Sequence, residues 1–528
     1  MEKQAYQSDV LDQNSRLIFD NPIIWSDVPD IDVIRVGDVF YMSSTTMHLN
    51  PGVPIMKSTD LVNWEIVNYV YDVLEENDEQ LLNNGKNEYG KGSWASSLRF
   101  HNNTFYLAVA SFSTDKTYIF QTDDIENGEW KKSSITGVYH DMSLLFDEGH
   151  VYMVYGGGDI RVIELTSDAT AIKEGGLDKV IIPNASLIAG TNVGLPAEGA
   201  HIQKIDGKYY VFLITWPKGE GRTQLMFRAD KIDGDYEGRI ALDDSGIAQG
   251  GIVDTVHGDW YAMLFQDHGA VGRTPFIVPI EWQDGWPIHK NEKQSARESA
   301  PIPAIVSSDE FNQALVDNNS SYLANIEALD DKGFKLPLVW QWNHNPDRKY
   351  WSLSERPGYL RLKNSRVCNR ILEARNMLTQ RTFGPECSGQ AAIEISDMKD
   401  GDIAGLAALQ ENYGFVGVKA TSDGNFIVMV KGDSEEEQEL EMIPTTSDRV
   451  YFKIDFDFKK MIDQAFFYYS LDGEDWHSIG DHLQMRYTIP HFMGYRFGLF
   501  NFATITSGGF VDFDYFRLSD QIATENID

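Results

Sequence analysis

The stretch Asn21-Pro-Ile-Ile-Trp-Ser-Asp-Val-Pro-Asp30-Ile-Asp-Val-Ile-Arg-Val-Gly37-Asp-Val-Phe-Tyr41-Met42 sets a carboxylate, Asp30, just ahead of an apolar strand pattern. The pattern turns at Gly37-Asp38 and returns as a second strand carrying a tyrosine. Two β-rich runs around a short turn with Gly, Asn or Asp are a hairpin signal. The unit recurs as Leu98 to Tyr106 around His101-Asn-Asn103, and as Leu144 to Tyr152 around Asp147-Glu-Gly149. It recurs again as Ile202 to Tyr210 around Asp206-Gly207, and as Val253 to Tyr261 around His257-Gly-Asp259. A second motif follows outside three of these hairpins, in Ser58 to Trp64, Gln121 to Trp130 and Arg228 to Tyr236. Units of about 40–65 residues with several strands each are propeller blades, so five copies predict a five-bladed β-propeller.

In a propeller the innermost strands line the axis, so equivalent positions of successive blades converge. Eleven or twelve residues before each repeat tyrosine stand Asp30, Trp94, Asp141, Glu198 and Gln249. Asp and Glu at strand starts are often only turn formers. Three carboxylates at one repeat register argue for more, because like charges gathered in a concave site raise one another's pKa.

The chain has 528 residues, enough for two or three domains, and its 12 Trp, 24 Tyr and 28 Phe suit large all-β cores. A net charge of −35 argues against nucleic acid and anionic membrane surfaces as partners. No apolar run approaches the roughly 18–20 residues of a membrane span. Cys368 and Cys387 show no metal spacing, and the sequence leaves open whether they pair. Residues 1–20 read as a lead-in, 21–286 as the propeller and 287–308, polar and proline-bearing, as a linker. From 309 to 528 no propeller repeat is visible. Tyr359 to Asn364, Val450 to Phe458 and Phe510 to Leu518 alternate apolar with polar residues, and Phe426 to Val430 is continuously apolar. This segment reads as a jelly-roll-like β-sandwich. Trp340 and Trp351 would permit it to bind polysaccharide, but core positions are the simpler reading for both. Met1 to Arg16 is polar, without the basic-then-apolar pattern of a signal peptide. That fits either a cytoplasmic protein or an exported mature chain with an added Met.

These residues together resemble glycoside hydrolase family 43, five-bladed propellers that include arabinofuranosidases, β-xylosidases and arabinanases. The resemblance runs through Pro29-Asp30 with Ile34-Arg-Val-Gly-Asp38, Pro54 to Trp64, Trp94-Ala95, His140-Asp-Met-Ser-Leu144, Glu198-Gly-Ala-His201 and Gly272-Arg273. Trp340 to Pro346, Arg356 to Leu362 and Thr379 to Pro385 are similar to the family's accessory sandwich. The resemblance implies Asp30 as the general base that activates a water and Glu198 as the general acid. It implies Asp141 as the carboxylate that tunes and orients that acid. Inverting hydrolysis then places the Asp30 and Glu198 carboxyls roughly 6.5–9.5 Å apart. Trp94 is implied as an apolar wall for the sugar, and His48 and Arg273 as sugar ligands, with Gln249 and His268 as further binding residues. A histidine often stands where this chain has Gln249, and it takes part in an axial metal or water site. The departure leaves a structural cation possible but unsupported, and with no His-Glu-x-x-His, Cys-x-x-Cys, P-loop or dinucleotide glycine fingerprint in the sequence no cofactor is expected. Asp32, where the family usually has Pro-Ser or Pro-Asp, shares Asp30's face but lies too far along the strand to replace it, and reads as structural.

The expected activity is an exo-acting α-L-arabinofuranosidase trimming arabinoxylan or arabinose-bearing xyloglucan, with β-D-xylosidase as the alternative. The resemblance also favours a periplasmic or secreted mature chain, and a pocket closed at one end by a loop. A non-catalytic sugar-binding propeller is the alternative of another class, which loss of any one carboxylate would have supported.

Overall fold

The computed structural model describes Leu17 and residues 19–243, 245–290, 301–312, 330 and 332–523. Most of the lead-in and the middle of the linker therefore lie outside the described residues. Among the described residues the regular structure is β-strand with short 3-10 turns, and no helix is long and apolar enough to cross a membrane.

Each of the five hairpins is the inner pair of its own antiparallel sheet, so the expected five-bladed propeller is borne out. Blade one runs Asp32–Val36, Val39–Ser43, Gly52–Ser58 and Glu65–Tyr71. Blade two begins with Ser93–His101, blade three with Ser143–Asp147 and blade four with Val193–Ile205. Blade five has a broken inner strand, Ile247–Ala248 and Ile252–Asp254, and its outermost strand is Trp286–His289. The hairpin turns are tight for a local reason. In Asn102-Asn103, Glu148-Gly149 and Asp206-Gly207 both central residues adopt positive φ, which matches the strand twist and suits Asn, Asp and Gly. The second recurring motif forms the turn to the outer strand: Asp60 Oδ1 accepts the N–H groups of Val62 and Asn63, and Asp124 Oδ1 those of Glu126 and Asn127.

The remainder forms two large antiparallel sheets, a β-sandwich whose expected fold class is borne out. One sheet centres on Arg496–Ala503 and Asp402–Leu409, the other on Phe510–Ser519 and Glu386–Glu394. Trp340 and Trp351 are core residues, each 2% exposed. Cys368 and Cys387 are both buried and free.

The two domains are fused. Leu49–Asn50 leaves blade one and pairs with Gln341–Asn343 as the edge strand of a sandwich sheet. A single apolar cluster runs from Ile23, Trp25 and Val28 through Val271 of blade five into Trp342, Phe383 and Phe497 of the sandwich. Trp25 lies so close to Gly384 that a Cβ there would meet its ring at 1.7 Å.

Candidate active site

Each of the five inner positions has an irregular backbone, by one of two devices. Asp30, Asp141 and Gln249 have φ of 52°, 48° and 60°, left-handed conformations just before the inner strands begin. Trp94 and Glu198 sit where the inner-strand register slips, between Ser93 and Ser96 and between Leu195 and His201. Bulges and left-handed residues re-aim side chains out of the pleat and collect at functional sites.

Asp30 is 4% exposed, and its Oδ1 accepts a hydrogen bond from Arg273 Nη1 at 2.6 Å. Burial raises the Asp30 carboxyl above its ordinary pKa, Glu198 adds to this, and the charges of Arg273 and Arg222 oppose it. Burial works against the Arg273 charge too, but Asp30, Tyr487 and Asp27 outweigh it and keep the guanidinium protonated. The guanidinium also donates through Nη2 to the Phe492 carbonyl at 3.3 Å and lies 4.4 Å from that residue's ring centre.

Asp141 and Glu198 form the other half of the site. Asp141 Oδ2 accepts the Gly199 N–H at 2.9 Å, which ties it to the backbone beside Glu198. Burial pushes Asp141 up to about 6; the His140 charge opposes this, and Glu198 and Asp30 reinforce it. His140 Nε2 lies 3.2 Å from Glu198 Oε2 and 3.6 Å from Asp141 Oδ2. Burial disfavours its charge, but Asp141 and Glu198 outweigh that and push the imidazole up to about 9. One donor atom from each of His140, Asp141 and Glu198 lies within 4.8 Å of the others, and the three side chains are already engaged with one another.

Trp94 packs against Phe492 with ring centres 5.2 Å apart, and against Phe112 and His140. It forms an aromatic wall beside the acidic pair. Gln249 is buried, donates its N–H to Gln224 and packs so close to Gly199 that a Cβ there would stand 2.9 Å from Gln249 Cγ. Gln249 thus packs against the residue that follows Glu198, and His201 Nδ1 lies 3.3 Å from Asp32 Oδ1. Burial alone would raise Asp32, but the Arg99 charge and hydrogen bonds from His201 and Leu98 hold it at about 2. Arg99 donates to Asp32 and to Ser143, so Asp32 serves to join blades one, two and three.

Asp30, Asp141, Glu198, Arg273 and Trp94 are thus linked through one network. His48 and His268 make their ring contacts with other residues. The His48 ring is 3% exposed and lies among Tyr89, His344 and His491, at the seam between propeller and sandwich. Burial, with the charge of Arg496, lowers it to about 3. His268 Nδ1 pairs with Thr274 Oγ1 at 2.7 Å between Trp25 and Phe276. Sequence reasoning passed over His140, Arg222, Phe112 and Phe492. His140 had a signal, its adjacency to Asp141 at a repeat register. Phe492 had none, because it arrives from the sandwich.

The sequence model of glycosyl hydrolases family 43 matches residues 19–287, and that of the beta-xylosidase C-terminal concanavalin A-like domain matches residues 332–519. A beta-xylosidase of Formosa agariphila is 27% identical, covering 94% of this chain and 89% of that protein. A non-reducing end alpha-L-arabinofuranosidase of Bacteroides ovatus is 24% identical over 78% of each chain. Among solved structures, a bifunctional GH43-CE protein of Bacteroides eggerthii superposes with a TM-score of 0.89 at 51% identity, covering 96% of this chain. The chain spans 64% of that protein's length.

Proposed function

The chain belongs to glycosyl hydrolase family 43, and from that premise we propose that it is an inverting exo-glycosidase releasing single pentosyl units from the non-reducing ends of hemicellulose. The observation that carries this reading is the meeting of three carboxyls from blades one, three and four beside an aromatic wall, with Asp30 and Glu198 in different electrostatic settings. Glycoside cleavage needs that asymmetry, one carboxyl to give a proton and another to take one.

In this reading Asp30 takes a proton from a water as its oxygen attacks the anomeric carbon. Glu198 gives a proton to the departing glycosidic oxygen as the carbon–oxygen bond breaks. The products are a pentose of inverted anomeric configuration and a glycan shortened by one unit. Arg273 favours the ionised form of Asp30. Asp141, anchored on the Gly199 amide, orients Glu198 and surrounds it with negative charge, which His140 balances. Phe492, with Trp94 and Phe112, forms an aromatic wall beside the acidic pair, against which a terminal sugar ring would pack.

The released sugar is α-L-arabinofuranose in the reading that the family resemblance favours. A second reading, β-D-xylose, draws on the beta-xylosidase names carried by several relatives. Initial rates on aryl α-L-arabinofuranoside and aryl β-D-xylopyranoside decide between them. Asp30→Ala is expected to abolish activity on whichever is cleaved, and NMR of the first-formed sugar to report inversion. An active Asp30→Ala enzyme, or a retained anomer, refutes the mechanism. A wild type that binds pentosides without cleaving any would instead be a sugar-binding propeller.

A further inference from the structure

Asp27 has no part in the chemistry above, yet its side chain is buried at 3% exposure. Its Oδ1 accepts the backbone N–H of Arg273 at 2.8 Å, and its Oδ2 accepts that of Gly494 at 2.9 Å. The two amides belong to different domains. Arg273 opens a blade-five strand, Arg273–Gln283, and Gly494 precedes the sandwich strand Arg496–Ala503. The packing leaves no slack. A Cβ on Gly272 would stand 2.1 Å from Asp27 Oδ1, and one on Gly494 would stand 2.1 Å from the Val271 carbonyl oxygen. Two further bonds bind the same seam: Tyr495 N–H donates to the Ala270 carbonyl, and Asp463 accepts the Ala270 N–H.

A buried carboxyl is a costly way to join two amides. Burial raises the Asp27 pKa, with Arg273, the two amides and Arg381 opposing. What a carboxylate adds is a pair of acceptors fixed in one plane on one short side chain. The circuit it closes runs into the site. Arg273, held by its backbone, reaches Asp30 and the Phe492 carbonyl with its side chain. Phe492 lies two residues before Gly494, which Asp27 also holds.

We propose that Asp27 is a positioning residue: it pins Arg273 of blade five and the sandwich segment that carries Phe492 to one carboxylate, so that Arg273 meets Asp30 in register. This rests on the assignment of Asp30 as base. Asp30 is faced by Arg273, Arg222 and His140, which favour its ionised form, and by Glu198 and Asp141, which disfavour it, with Tyr487 alongside. Loosening Arg273 weakens the closest of the favouring charges. Asp30 then ionises at higher pH, and the acid limb of kcat/KM moves up.

The test uses the full chain with Asp27→Asn, Gly494→Ala and, as a control, Ser26→Ala. Ser26 Oγ donates to the Thr382 carbonyl at 2.7 Å in the same seam, and its bond involves neither Arg273 nor Gly494. Below every Tm, Asp27→Asn and Gly494→Ala are expected to lose at least ~10-fold in kcat with a smaller change in KM. Their acid limbs should rise by ~0.5 pH unit or more. Ser26→Ala should lower Tm and leave kcat and the pH profile as in the wild type. If Asp27→Asn fails to fold, Gly494→Ala, which strains the same contact from the sandwich side, decides by the same readouts. Variants that lose Tm but keep wild-type kcat and acid limb, in an enzyme whose activity depends on Asp30, overturn this proposal alone. A wild type inactive on both glycosides brings down the base assignment and the positioning role with it.

Discussion

Asp141→Asn isolates the electrostatic claim at the acid side of the site. Asparagine keeps an acceptor for the Gly199 N–H, so the geometry is preserved and only the charge goes. The group that should report the loss is His140, whose Nε2 lies 3.6 Å from Asp141 Oδ2. At that separation and an effective dielectric of ~20, two unit charges interact by ~4–5 kcal/mol. His140 is 26% exposed, and solvent screening should leave about half of that or less. A loss of ~1.5–2.5 kcal/mol corresponds to ~1–2 pKa units. The imidazole should therefore fall from about 9 in the wild type towards ~7–8, with Glu198 still holding it above its ordinary value. The sign also fixes a stability change. A histidine raised in the folded state contributes stability that is full below its unfolded pKa and lost as pH rises through the folded value. In the wild type that loss spans roughly pH 6.5 to 9; Asp141→Asn should make the contribution smaller and end its loss near pH ~7–8. The assay is an NMR titration of the His140 ring protons in both proteins, with kcat alongside, expected to fall on the order of 100-fold. A wild-type His140 that titrates near 6.5, or a value unmoved by Asp141→Asn, refutes the reasoning.

Phe492→Ala removes the ring stacked on Trp94 and lying over the Arg273 guanidinium. Losing a cation–π and an aromatic contact of ~1–3 kcal/mol together predicts a ~5–100-fold fall in kcat/KM in steady-state assays, and an unchanged value means the wall does not engage substrate. Glu88, 2% exposed and hydrogen-bonded by Gln80 and Ser113, is raised by burial to about 7. Ionising it in the folded state costs stability as pH rises from its ordinary value through 7, ending near ~3 kcal/mol. Glu88→Gln should thus match the wild type in Tm at acid pH and exceed it above pH 7; equal Tm values at pH 8.5 would show that this carboxyl is not strained.

The blades were legible because each repeats a local code. A turn that needs positive φ selects Asn, Asp or Gly, and the strand that follows offers a tyrosine at a fixed offset. The inner position could be counted from that tyrosine, which is how Asp30, Trp94, Asp141, Glu198 and Gln249 surfaced without any alignment. What the count could not convey is the seam. Leu49–Asn50 is too short for any periodicity to mark it as a strand, and it becomes one only through its partner Gln341–Asn343. The same seam draws His48 into a ring cluster with His344 and His491, a use invisible from the local Thr45-Thr-Met-His48 stretch. Phe492 and Gly494 reach the site from the sandwich, and nothing near them in sequence speaks of sugar chemistry. Repetition can be read from a chain because each copy answers to the same local geometry. A contact between distant segments that occurs once leaves no such trace. In this protein the carboxyls follow the first rule, while the side chains that hold and wall them, Arg273 pinned by Asp27 and Phe492 carried by the sandwich, follow the second.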